Sequence, residues 1–217
     1  MALIHQAELR PSKTELITEW APTQAWFEGS ADSSFTSVAS FRFDDPEGEV
    51  GIETILVRAG GGPVMQLPLT YRGAPLEGGD AWLIGTMQHS VLGRRWVYDA
   101  TGDPAYLGAV TTAVLTGGGQ AEQYVEVDGK RVRLEPTAVV VGSGKEGTPV
   151  PSIPWVGTLS TRHEHGATIV DAGDFRLVLV RVLGAGESTE NGAQGVLAGT
   201  WTGQPEPRTL AIVTRAT

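Results

Sequence analysis

Breaker residues set the length scale of everything this chain can build. Its 217 residues include 29 glycines and 13 prolines, and each of these tends to end a helix or turn a strand. That punctuation favours short strands joined by turns over long helices. Several strands are plain to see. Residues 38–43 alternate Val38, Ser40 and Arg42 with Ala39, Phe41 and Phe43. Residues 50–58 are rich in β-branched side chains and form the strongest strand pattern. Residues 64–70, 82–86 and 93–98 continue the series.

Two helices interrupt it. Ser12 and Glu15 have capping-box spacing, in which each side chain can bond the other residue's amide. A short helix over 13–20 follows, with Leu16, Ile17 and Trp20 on one face. Pro22 ends it, and Trp26 with Phe27 is expected to seat it on a sheet. The second helix starts where Asp103 can cap and Pro104 can occupy the first turn. Tyr106, Val110, Ala113 and Val114 mark its buried stripe, and Gly117, Gly118 and Gly119 stop it.

The densest part is residues 63–115, which hold two of the six Trp and three of the four Tyr. Downstream, residues 122–127 and 131–134 flank Asp128-Gly129, a strong hairpin signal. Residues 2–9 have weak β character, and 184–195 read as a polar loop. After Trp155 the chain is nearly all strand, at 156–162, 167–171, 175–183, 196–201 and 209–214. The expected class is α+β, with mostly antiparallel sheets and about two helices.

Composition excludes several functions. A net charge of −9 argues against nucleic-acid binding, which needs clustered Lys and Arg. The absence of cysteine rules out thiol nucleophiles and cysteine-ligated zinc. No apolar run is long enough to cross a membrane as a helix, and no signal-peptide pattern is seen. The cytoplasm is the expected location, with no membrane partner.

Short motifs resolve into structural readings. Asp44, Asp45, Glu47 and Glu49 lack calcium-loop spacing and are expected at a solvated hairpin tip. Gly142-Ser143-Gly144-Lys145 resembles part of a phosphate loop, but Glu146 follows the lysine and no helix does, so a linker is expected. His163-Glu164-His165 puts two imidazoles on one side, with only Asp171 or Asp174 nearby to complete a site. No metal or other cofactor is expected.

A family resemblance emerges from particular residues. Leu9-Arg10-Pro11-Ser12-Lys13, Trp20, Trp26-Phe27 and Gln66-Leu67-Pro68-Leu69-Thr70-Tyr71 resemble the cap subdomain of actinobacterial maltokinases, as does the stretch 80–99. Residues 157–169, 173–174, 175–186, 195–201 and 210–213 are similar to the kinase N-lobe strands that follow. The resemblance implies a cap-like region over 1–148 and an N-lobe-like β region over 149–217, as in stand-alone cap-like proteins. It also locates the family's phosphate-gripping lysine, which falls here on Val178 or Leu179, both apolar. Phosphoryl transfer needs that cation, a metal-holding side chain and a base. The sequence reaches Thr217 with no segment of the kind that supplies the last two. The resemblance therefore implies a non-catalytic module, with no catalytic residues and an accessory or interaction role in glucan, maltose or trehalose metabolism. Its partner is expected to be a kinase-like chain or a second copy. The alternatives are a protein that binds a sugar or nucleotide, or a subunit of a split sugar kinase acting with a separate C-lobe chain. For a sugar, Tyr71, Trp82, Trp96 and Tyr98 offer stacking faces, and Arg94, Arg95 and Asp99 offer polar contacts.

Overall fold

The computed structural model describes residues 2–4, 7–30, 33–127, 129–184 and 192–216. Asp128 of the expected hairpin turn, residues 5 and 6 of the first weak strand and 185–191 of the expected polar loop lie outside the described residues. The elements in chain order are β1 (Ala2–Ile4), β2 (Leu9–Arg10), α1 (Lys13–Trp20), β3 (Phe35–Phe43), β4 (Gly51–Ala59), β5 (Val64–Arg72), β6 (Leu83–His89), β7 (Gly93–Asp99) and α2 (Pro104–Thr116). They continue with β8 (Gln123–Val127), β9 (Lys130–Arg133), β10 (Ala138–Gly142), β11 (Ser160–Glu164), β12 (Ala167–Ala172), β13 (Phe175–Val180), β14 (Val182–Leu183), β15 (Ala193–Trp201) and β16 (Gln204–Arg215). The class is α+β, β-rich and antiparallel, with two α-helices among the described residues.

Three sheets form. The largest has the order β2-β6-β7-β5-β4-β3, with β14 added beside β5. The second has the order β10-β15-β16-β13-β12-β11, and a small third sheet joins β1, β8 and β9. The β1–β8 pair is parallel, a long-range pairing that local pattern does not announce. Helix α1 covers one face of the large sheet. Its capping box is present: the Ser12 amide donates to Glu15 at 2.7 Å, and the Glu15 amide donates to Ser12 Oγ at 3.2 Å. Leu16 and Ile17 are buried with Trp26, Leu67, Leu69, Met87 and Val97, and Trp20 meets Trp26 edge-on at 5.6 Å. The opposite face shares a core with α2 and the second sheet, where Phe41, Leu56, Leu107, Val114, Leu177 and Leu210 are all buried.

Chain segments cross between the expected cap-like and N-lobe-like regions. Strand β10 pairs with β15, and β14 pairs with β5 through Val182–Met65 and Leu183–Val64. The expected strand 175–183 is interrupted at Arg181, where the chain leaves one sheet for the other. There the amides of Arg181 and Val182 both donate to the Gly166 carbonyl, and the Arg181 carbonyl accepts from the Gln66 amide. The Gln66 side-chain amide donates to the carbonyls of Val180 and Leu210, both at 2.9 Å.

Residues 142–145 are not a free linker. The amides of Gly144 and Lys145 donate to the carbonyls of Val114 and Leu115 at the end of α2. These donors meet the helix's carbonyl end, the reverse of a phosphate loop, whose donors face an anion. A Cβ on Gly144 would fall 1.9 Å from the Leu115 oxygen, so only glycine fits. Two sheet edges are partly covered within the chain. Thr137 and Ala121 bond the β3 backbone, and Gly118 and Gln120 bond that of β10. No helix among the described residues is long and apolar enough to cross a membrane.

Candidate functional site

Strand alternation places charged side chains on the α1 face of the large sheet, where a cleft opens at its end. Arg42 on β3 lies opposite Glu53 on β4, and Gly51 at the start of β4 lies opposite Tyr71 near the end of β5. Lys13 comes from the first turn of α1. Lys13, Arg42 and Tyr71 converge on the buried Glu53 carboxylate. Lys13 Nζ donates to it at 2.5 Å, the Tyr71 hydroxyl donates at 2.8 Å, and Arg42 Nη2 lies 3.2 Å away. Burial pushes the Glu53 pKa up, but Arg42, Lys13 and Tyr71 outweigh it and hold the carboxyl below its usual range. Burial and the neighbouring Glu53 charge push the Tyr71 phenol well above its usual range.

Beside this cluster lies a cleft of about 730 Å³. Lys13, Arg42 and Arg95 line it, as do Asp44, Asp45 and Glu49 of the β3–β4 turn. Tyr71 and His89 are further polar walls, and Leu9, Met87 and Leu92 supply apolar surface. The turn is rigid: Asp45 accepts from the amides of Glu47, Glu49 and Val50, and Gly48 adopts a φ of +76°. Arg95 is pinned by donating to the Leu92 carbonyl at 2.8 Å.

A second polar cluster lies inside the molecule. Arg181 is 0% exposed. Its Nη2 donates to Asp99 at 2.5 Å and its Nε donates to Thr168 at 2.8 Å. The guanidinium lies 4.8 Å from the Trp26 ring. Thr101 donates to Asp99 from its amide and its hydroxyl.

Residues 20–103 match the family model of the maltokinase N-terminal cap domain. That segment is similar to a maltokinase N-terminal cap domain. No curated protein matches it. The match spans Trp26, Arg42, Glu53, Tyr71, His89, Arg95 and Asp99, so the matched segment supplies most of the cleft and one half of the Arg181 pair. It stops at Asp103, the residue that caps α2.

The seven candidate ligand residues do not converge. Tyr71 and Arg95 line the cleft. Arg94 stacks on Trp96 at 4.9 Å and is committed to a neighbour on its own strand. The Tyr98 hydroxyl, buried, accepts from the Leu76 amide at 2.8 Å. Trp82 lies in a short 3₁₀ turn, with its ring over Gly102. Asp99 is taken up by Arg181. Alternation along β7 separates Arg95 from Arg94 and Trp96, which adjacency in sequence conceals. Lys13, Arg42, Asp44, Asp45, Glu49 and His89 complete the cleft without having been singled out for it. The available signal was a pair of opposite charges, Arg42 and Glu53, near the ends of two strands joined by a turn. At the position expected for a nucleotide-gripping lysine, Val178 is 3% exposed on one face of β13 and Leu179 is 0% exposed on the other. His163 contacts Thr168 at 3.0 Å. Among the described residues no group of three His, Cys, Asp or Glu side chains is placed to hold a metal ion.

Proposed function

We propose that this chain is a non-catalytic cap and N-lobe-like module, serving as an accessory or interaction protein in carbohydrate metabolism. One observation carries the reading. Val178 and Leu179 are buried among apolar side chains, and the nearby arginines are already committed. Arg181 is buried against Asp99, and Arg176 donates to Asp171 at 2.6 Å. A phosphoryl-transfer site requires a cation on the nucleotide phosphates, and freeing Arg181 would leave the buried Asp99 without its counter-ion. The name of the matched family supports the carbohydrate context, since the domain is that of a maltokinase. The module's partner is then a kinase-like chain or a second copy.

The test is titration of the purified chain with magnesium-ATP, following melting temperature and phosphate release. Ligand binding to the folded state raises the melting temperature in proportion to ln(1 + [L]/Kd). The expected result is an unmoved melting temperature and no phosphate release. A saturable rise, or turnover that scales with protein, overturns the non-catalytic reading.

A further inference from the structure

We propose that the open edge of β9 is a docking site for an extended acidic segment of a partner polypeptide, which adds to the small sheet as a further strand. This goes beyond the non-catalytic reading and does not depend on it, because a strand can be added to a chain with or without turnover elsewhere.

The outward backbone groups of this edge belong to two cations. In the order β1-β8-β9 the last strand is outermost, and among the described residues β9 pairs only with β8. The Leu134 amide donates to the Gln123 carbonyl of β8 at 2.9 Å. Backbone groups alternate in direction along a strand, so Lys130 and Val132 also bond toward β8. The N–H and C=O groups of Arg131 and Arg133 then face outward. An unpaired row of this kind is a template for another strand. The edges of β3 and β10 are partly covered within the chain, and edge strand β11 carries both signs in Arg162 and Glu164. All four residues of β9 are exposed, and Lys130, Arg131 and Arg133 give it one sign.

Side chains set the partner's sequence pattern. The register puts Arg131 and Arg133 on one face with Tyr124 and Glu126, and Lys130 and Val132 on the other with Val125 and Val127. Val127, Val132 and Leu134 are 44%, 46% and 37% exposed, so the second face is an apolar strip open to solvent. A strand laid beside β9 meets Arg131 and Arg133 on one face and Val132 on the other, which suits alternating acidic and apolar residues. Strand β8 already shows that match, with Glu126 opposite Arg131 and Val125 opposite Val132. The neighbouring carboxylates leave the edge clear. Glu126 lies on β8 and Glu122 just before it, on the other side of β9 from the opening. Glu122 is 3.0 Å from Arg133, but that pair is more than half exposed and so contributes little. A second copy of β9 fits poorly: antiparallel pairing with Val132 opposite Val132 sets Arg131 against Arg133, and like charges directly opposite destabilise. A phosphate backbone could neutralise the cations but offers no donor to the outward carbonyls, whereas a peptide backbone supplies donor and acceptor alike.

The test uses the full chain, ¹⁵N-labelled, and an end-blocked peptide of about seven residues alternating glutamate and valine. Comparison probes are a lysine–valine peptide of the same pattern, an N-methylated glutamate–valine peptide without main-chain donors, and a short oligothymidylate. Binding is read by calorimetry and by amide hydrogen exchange. The glutamate–valine peptide is expected to bind saturably and to slow exchange at Arg131 and Arg133. N-methylation should weaken it about tenfold, because the outward carbonyls lose their donors. A chain carrying Arg131→Glu and Arg133→Glu should lose about tenfold in affinity for the acidic peptide and gain affinity for the lysine peptide. The exchange readout needs no variant, so the test survives if that chain fails to fold. Absence of saturable binding, equal binding of the N-methylated peptide, tighter binding of oligothymidylate, or binding that leaves Arg131 and Arg133 exchange unchanged overturns the proposal. None of these outcomes bears on ATP, so failure here is distinguishable from failure of the non-catalytic reading.

Discussion

Arg181 and Asp99 carry full charges where water does not reach, so each depends on the other. Burying a charge is costly, and removing one partner leaves the second uncompensated. Arg181→Met should therefore destabilise the fold by about 3–5 kcal/mol, read as a shift in urea midpoint at constant slope. Adding Asp99→Asn should recover part of that loss, giving a double mutant more stable than the sum of the single effects. The pair also reaches the surface. Arginine has only donors, so Thr168 Oγ must accept from Arg181 Nε, and the same hydroxyl bonds His163 Nδ1 in a direction set by the imidazole tautomer. Burial and the Arg181 charge hold the His163 pKa below its usual range. The unfolded chain then binds a proton more readily than the folded one, so this contribution is complete above the unfolded value of about 6.5 and declines as pH falls through it. Urea midpoints should drop between about pH 7.5 and pH 5.5, a window that brackets the ordinary histidine pKa. His163→Gln should flatten that drop, and an unchanged slope in the variant would show that another group is responsible.

At the scale of elements, helix α2 shows how a loop sequence can mislead. Gly142-Ser143-Gly144-Lys145 has the composition of an anion cradle, yet its amides bond the last carbonyls of the helix. The glycines are required because the loop backbone lies against the helix backbone. A methyl group on Gly144 would overlap the Leu115 carbonyl, and overpacking of this kind typically costs about 1–3 kcal/mol. Gly144→Ala should thus lower the melting temperature more than Ser12→Ala, whose lost cap is worth about 1 kcal/mol. Equal effects in a calorimetric scan would mean that the loop does not hold α2. Legibility differed between the two helices for the same reason. The α1 capping box and the Asp103-Pro104 start are local signals, and both formed as expected. The partner of the α2 C-terminus lies 30 residues downstream, and no window pattern reports it.

Across the whole molecule, the two large sheets share one core and exchange strands. Strand β5 is flanked by β14 on its first half and β7 on its second. Gln66, fully buried, ties that strand to the carbonyls of Val180 and Leu210. Gln66→Leu strands both acceptors and should cost about 1–3 kcal/mol, the desolvation penalty for buried groups left unbonded. Because Phe41, Val114 and Leu177 belong to one cluster, heat or urea should produce a single transition by tryptophan fluorescence and far-ultraviolet dichroism alike. A chain divided after Thr148 should give two pieces that do not fold separately. Two resolved transitions, or a folded N-terminal piece, would show that the shared core is not cooperative.

The amino-acid order by itself determined the short strands, the two helices and the apolar character of Val178 and Leu179. These depend on residue type, alternation and capping within a few positions, where physical preference acts locally. Tyr71 and Arg95 were within its reach as candidates, because aromatic and cationic side chains stand out in any sequence. Only the tertiary structure decided which of the seven candidates share a cleft, since side chains from α1, β3, β5 and β7 meet through pairings that span tens of residues. It also decided that Arg181 faces inward. The chain changes sheets at that residue, and the direction of a side chain at a crossing is set by what waits on the other side, here Asp99 and Trp26.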